Sequence, residues 1–258
     1  GQDATSVGLI YRPAALAPIS GPVGTDSGAF VQLPAAVHRM PMAQTFETVP
    51  WGERFTAVVN DWHGRDACPD TGDDADQGDG QACWNAARID AAEDLAAWLA
   101  TDPTASRDPD ILVLGELNAF AKESPMAALE EAGFLDIVPV AAYTTVWSGR
   151  AGAGDHALVT PGLAEQVAGA AAWAVNADEP AALDYNMEDK TSAQLASLYA
   201  ADAYRASDHA PLIVGLTLLP DMSSLGGSYG TAWHTGRGEV RLGAEWSGDA
   251  GESADSGD

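Results

Sequence analysis

Strands and helices alternate along this chain as they do in an α/β fold, and three observations carry that reading. Ile111-Leu112-Val113-Leu114 is an unbroken apolar run closed by Gly115, the pattern of a fully buried strand that ends in a tight turn. Between Trp84 and Ala100, residues Ile89, Ala92, Leu95, Ala96 and Leu99 recur at helical spacing, and Asp102-Pro103 stops the helix. A last apolar run, residues 212–218, reads as the closing strand of the domain.

The other elements follow in order. Val7 to Pro13 reads as a strand stopped by proline, and the Pro/Gly/Ala-rich residues 14–34 as loop. Arg39 to Ala43 leads into a strand through Thr45 and Phe46, a turn falls at Pro50-Trp51-Gly52, and Arg54 to Asn60 is a further strand ending in Asp61-Trp62-His63. On the helix, Arg88, Asp90, Glu93 and Asp94 fall mostly on the polar face. Pro125 to Gly133 reads as a short helix with proline in its first turn and a glycine stop. Strands are expected at 143–147, 158–159 and 171–175, short helix at 161–170, and irregular or helical chain at 181–203. Trp62, Trp84, Trp98, Trp147 and Trp173 read as core residues. The organisation is therefore one domain over 1–219, then over 220–258 a linker, the opening of a β-rich module and an acidic tail of disordered composition.

Composition bounds the partners. Net charge is −26, from 38 Asp plus Glu against 12 Lys plus Arg. Such a chain repels nucleic acid at long range, so action on phosphodiesters would need local arginine and a bound divalent ion. A solvated acidic surface also suits a secreted or salt-adapted protein. No apolar run is long enough to span a bilayer, and no obligate protein partner is evident. Gly1 is an unusual start and reads as that of a processed or truncated piece. The two cysteines, Cys68 and Cys83, flank an acidic, glycine-rich loop that cannot form a core of its own and is expected to be floppy. A disulfide across it is the economical reading, beside two unrelated thiols; it implies an oxidising compartment and would stabilise the fold by roughly 3 kcal/mol. The aspartate spacing is not that of an EF-hand, so Ca²⁺ enters only as a candidate structural ion.

Three stretches carry chemistry. Glu116 and Asn118 follow the buried strand two residues apart and share a side of an extended chain, at the strand end where α/β sheets gather their sites. Asp155-His156-Ala157-Leu158 follows a run of glycines, and Ser207-Asp208-His209-Ala210-Pro211 precedes the last strand. Each has a bland reading as well. Strand ends often hold Asn or Glu for turn reasons, Asp-His before proline can be a capped turn, Arg12 can pair with one of many acids, and His156 reads as packed or solvated.

Taken together and in order, the stretches resemble the endonuclease/exonuclease/phosphatase superfamily, most of all the large secreted bacterial extracellular nucleases. The supporting residues are Ile10-Tyr11-Arg12-Pro13, the Cys68 to Asn85 segment with Arg88, Gly115 to Ala119 with Ala121-Lys122-Glu123, Asp155 to Leu158, Asn176 to Pro180, Asp184-Tyr185-Asn186, and Tyr204 to His209. They span roughly residues 7–218. The resemblance implies a four-layer sandwich, two mixed β-sheets face to face with helices outside, of deoxyribonuclease type. It also implies a divalent-metal-dependent phosphodiesterase, secreted, with Mg²⁺ or Mn²⁺ as cofactor and extracellular DNA or RNA as substrate.

By position, Asp208 would ligate the metal together with Glu116, and His209 would act beside the scissile phosphate. Asp155 would hold the His209 ring, Glu116 would orient or deprotonate water, and Asn118 and Arg12 would contact phosphate. Three departures stand out. The family's first strands, with a metal-binding Asn and Glu, have no counterpart before Val7, so the chain reads as the C-terminal two thirds of the domain. Glu116 stands where the family has Asp. Asp61 stands where it has His, and His63, on the same side of the strand, is the candidate substitute. Activity of the chain as given is left open between working and impaired. The rival readings are a degenerate surface or adhesion domain, and a phosphatase or phosphodiesterase acting on small substrates.

Overall fold

The computed structural model describes residues 7–31, 38–147, 149–184, 187 and 190–218. Two short strands, β1 (Leu16–Pro18) and β2 (Val23–Gly24), lead into the hairpin of β3 (Met42–Thr48) and β4 (Arg54–Asp61). Helix α1 (Asn85–Leu99) and β5 (Ile111–Glu116) follow, then α2 (Ser124–Glu131) and β6 (Leu135–Asp136). A small hairpin of β7 (Thr145–Trp147) and β8 (Arg150–Gly152) precedes β9 (Asp155–Val159), α3 (Pro161–Ala164), β10 (Val167–Ala172), α4 (Ser192–Leu198) and β11 (Leu212–Leu216).

The main sheet runs β1-β3-β4-β5-β9-β6 with β2 also on β3; β4 and β5 are parallel and the other pairs antiparallel. Strand alternation divides its side chains between two faces. Val58, Val113 and Leu158 face α1 and α2 and join Ala92, Leu95, Leu99, Met126 and Leu129 in the larger core. Leu112, Leu114 and Val159 face the other way, against Val214 and Leu216 of the β10–β11 sheet. The class is therefore mixed α/β, with two sheets face to face as expected. The second sheet has two strands, and α4 buries none of its residues, so among the described residues no helix covers that sheet from outside. Among them, too, no helix is long and apolar enough to cross a membrane.

Several expectations are corrected. Val7 to Arg12 forms no strand: Ile10 is 101 % exposed, and Arg12 O instead accepts the amides of Ala15 and Leu16 in a turn, so the ladder position on β3 goes to β1. The helix expected at 161–170 stops at Ala164 because the chain from Val167 pairs with β11. Trp173 is exposed rather than core. Arg88 is buried on the inner face of α1, where it donates to the carbonyls of His63, Gly64 and Gln81 at 3.1–3.2 Å.

Those bonds also bear on the acidic loop. It is tied down by the Cys68–Cys83 disulfide (Cα–Cα 5.3 Å), by Trp84 N donating to Asp74 O at 2.8 Å, and by Asp74 Oδ1, which accepts Ala87 N at 2.9 Å in the first turn of α1. The sequence shows a loop without large apolar residues. It does not show that Asp74 supplies the cap that Trp84, left-handed at the helix start, leaves unfilled. The expected β module and acidic tail at 220–258 lie outside the described residues.

Candidate active site

The site is built where three strands of the main sheet end together. Register sets Asp61 of β4 beside Glu116 of β5, and Glu116 beside Asp155 of β9. These positions share the face that carries Leu112 and Leu114, the one that looks toward the second sheet. Gly115 permits this approach. Its φ is +125°, and a Cβ there would stand 2.1 Å from Asn60 O, so a side chain would push β4 and β5 apart beside Glu116.

The loop before β11 brings His209 onto the same face. Its Nδ1 lies 2.7 Å from Asp155 Oδ2, and its Nε2 lies 3.8 Å from Glu116 Oε1. Ligand atoms of Glu116, Asp155 and His209 fall within 4.8 Å of one another. The imidazole is part-buried, which by itself would lower its pKa. The hydrogen bond and charge of Asp155, with Glu116 and Asp208 nearby, outweigh burial and hold the pKa up at about 9. Burial raises the Glu116 carboxyl above the usual range, and the charges of Asp155 and Asp61 add to it, against the pull of His209 and Asn118.

The other residues singled out by sequence take varied places. Asn118 is left-handed (φ 52°), its Nδ2 donates to Trp62 O at 2.8 Å, and its amide N donates to Gly154 O at 3.1 Å; it ties the end of β5 to β4 and to the start of β9. His63 does not join the cluster. Its ring stacks on Trp84 with centroids 4.3 Å apart, and its Nδ1 lies 3.1 Å from Gly64 O, because the chain turns out of the β4 direction after Asp61. Asp208, expected to ligate the metal together with Glu116, is instead exposed and outside the convergent group, because its neighbour His209 is the residue of that loop that turns inward. Arg12 is exposed ahead of β1, at the far edge of a sheet whose centre holds the site. Cys68 and Cys83 are bonded.

Sequence reading gave no role to two groups that the fold brings close. Arg65 donates to Asn118 O at 3.3 Å, pairs with Glu123 and lies over the Phe120 ring at 4.3 Å. Asn176 reaches the backbone of His209. The Asn176-to-Pro180 motif marked the second of these, but no spacing in the sequence links it to the loop before β11.

No protein-family model matches the chain, and no curated protein matches it. Solved structures similar to it include the catalytic domain of human Nocturnin with bound sulfate, at 16 % identity, covering 58 % of this chain and 50 % of that one, with a TM-score of 0.43. A second is an endonuclease/exonuclease/phosphatase of Bacteroides vulgatus, at 16 % identity, 81 % and 69 % coverage, and a TM-score of 0.48. A third is a mannosyl-6-phosphatase of Bacteroides thetaiotaomicron, at 13 % identity, 63 % and 59 % coverage, and a TM-score of 0.44. The chain spans 50 % of the Nocturnin domain and 59 % of the mannosyl-6-phosphatase. Likeness at these values leaves substrate and chemistry to the residues of the site.

Proposed function

We propose that this chain is a phosphoester hydrolase of the endonuclease/exonuclease/phosphatase kind, with Asp155, His209 and Glu116 as its working groups. The observation that carries the reading is an imidazole held by a carboxylate at Nδ1 while its Nε2 points at a second carboxylate, on an accessible sheet face. With its pKa near 9, His209 is cationic at neutral pH. Its Nε2–H then meets a phosphoryl oxygen as a charge-assisted donor, or supplies the proton that the leaving oxygen needs. Asp155 keeps the Nδ1–H side engaged and so aims Nε2 outward. Glu116, facing Nε2 at 3.8 Å, would orient the attacking water, directly or through an ion that it holds.

The donor set fits a hard divalent cation. Glu116 and Asp155, whose ligand atoms fall within 4.8 Å of each other, are the carboxylates that would hold it. Bound there, Mg²⁺ or Mn²⁺ would neutralise charge on the phosphoryl group and lower the pKa of water. Asp208, exposed outside the group, is left out of this assignment, and so is Arg12.

Nucleic-acid phosphodiesters are the proposed substrate, and the Cys68–Cys83 bond supports an extracellular setting. A small phosphoester is the second reading. What favours it is the pairing of two arginines near the site with acids, Arg39 with Asp61 and Arg65 with Glu123, in a chain of net charge −26. The retained Asp155–His209–Glu116 geometry favours either enzyme over an adhesion module.

The test is hydrolysis of plasmid DNA, single-stranded RNA and bis-p-nitrophenyl phosphate with Mg²⁺, Mn²⁺ or chelator, beside His209→Ala. Metal-dependent turnover lost in the variant supports the reading, and the substrate turned over chooses between its forms. Turnover of none by a folded chain sinks the hydrolase reading for the chain as given.

A further inference from the structure

His209 stands on a segment with little to hold it. Ala206, Ser207 and Asp208 are exposed, and the preceding α4 buries no side chain. A single hydrogen bond from Nδ1 to Asp155 fixes one point of the ring and leaves rotation about that contact free. Something must therefore fix the backbone from which the ring hangs.

Asn176 occupies that place. It is 5 % exposed and lies in the turn after β10. Its Nδ2 donates to His209 O at 2.7 Å, and its Oδ1 accepts Ala206 N at 3.0 Å, so one amide closes both ends of the loop. The partners on its own backbone tighten the same join: Arg205 Nη1 donates to Asn176 O at 2.9 Å and Arg205 N to Val175 O at 3.0 Å. Beyond the ring, Ala210 N donates to Thr144 O at 2.7 Å.

We propose that Asn176 is the positioning residue of His209, its amide clamping the Ala206–His209 loop so that the imidazole is held between Asp155 and Glu116. The chemistry of the side chain is specific to the task. A donor and an acceptor at fixed separation meet a carbonyl and an N–H, which a carboxylate, all acceptor, cannot do. Aspartate would keep the bond from Ala206 N and set a negative oxygen against the His209 carbonyl. Burial of Asn176 makes the loss costly, because its amide has few other partners within reach.

The inference rests on the hydrolase reading, and its test separates the two. Asn176→Asp and Asn176→Ala are compared with the unaltered chain by kcat and KM, by the His209 ring ¹H–¹⁵N signals at one fixed pH, and again in a His209→Ala background. Expected are a fall in kcat of about 10–100-fold with KM within about twofold, since ring misplacement of this kind costs about that much. The ring signal should shift or broaden, and no further loss should appear when His209 is already alanine. An unchanged ring signal, or an equal loss in the His209→Ala background, overturns the role. Should the chain show no hydrolysis, the ring signal decides alone, and the hydrolase reading fails separately. If neither variant folds, amide exchange at Ala206 in the unaltered chain decides: protection well above random coil is expected, and free exchange would refute the clamp.

Discussion

Two neighbouring residues of β9 belong to opposite faces of one sheet, and each belongs to a carboxylate–imidazole pair. On one face, Asp155 Oδ2 holds His209 Nδ1 at 2.7 Å; on the other, Asp136 Oδ2 holds His156 Nδ1 at 2.8 Å. Near the first nitrogen the pairs are alike, and both imidazoles have raised pKa values. Burial opposes each shift, and Asp155 and Asp136 respectively overcome it. The second nitrogen separates them. His156 Nε2 lies 2.7 Å from Ala119 O and the side chain is 1 % exposed, so every polar atom is spent. His209 Nε2 lies 3.8 Å from Glu116 Oε1, beyond hydrogen-bond length, with the side chain 25 % exposed. An imidazole clamped at both nitrogens is a strut. One clamped at a single nitrogen, facing a raised carboxyl, is free to move a proton.

His209→Ala tests the comparison with the largest effect: hydrolysis should fall by about 10²–10⁴-fold, and stability should fall less than in His156→Ala, because the part-exposed Asp155 that loses its partner can turn to water. His156→Ala should do the reverse. It leaves Asp136 and Ala119 O without their partner, and urea titration should show a loss of about 2–4 kcal/mol, with hydrolysis per folded molecule close to normal. Activity collapse in the second variant at full stability would erase the distinction drawn between the pairs.

Reduction of the Cys68–Cys83 bond should cost about 3 kcal/mol, read as a lower thermal midpoint in reductant. It tests whether the loop behind the site draws its order from the cross-link or from Asp74 and Arg88.

A third imidazole sharpens the contrast from the other side. His38 is buried, donates from Nε2 to Ala87 O at 2.9 Å and accepts His63 N at Nδ1. Burial pushes its pKa down to about 4, against the pull of the Ala87 hydrogen bond. A folded-state pKa below the unfolded value of 6.5 gives stability that is present above pH 6.5 and lost as pH falls toward 4. Between pH 7 and 4.5, His38 should therefore account for about 2–3 kcal/mol of lost stability. The paired histidines have the opposite sign: their raised values give stability that is complete below pH 6.5 and fades only as pH climbs through the folded-state pKa. Urea titrations across this window should show a shallower acid slope in His38→Gln than in the unaltered chain.

Sequence alone determined the elements whose signal is local. The apolar run at Ile111–Leu114 became β5, the helical spacing between Trp84 and Ala100 became α1, and Glu116 at the end of β5, Asp155 at the start of β9 and His209 just before β11 lie together. Glu116, Asp155 and His209 were readable because strand ends and turns announce themselves in a few residues. The tertiary structure decided what depends on residues distant in the chain. It gave the edge of β3 to Leu16–Pro18 instead of Val7–Pro13, turned His63 onto Trp84, buried Arg88 under three carbonyls, and set Asn176 against the loop of His209. A side chain's type fixes which bonds it can make. Which of two imidazoles keeps a nitrogen open was settled by whether a carbonyl from elsewhere in the fold, here Ala119 O, arrives to take it.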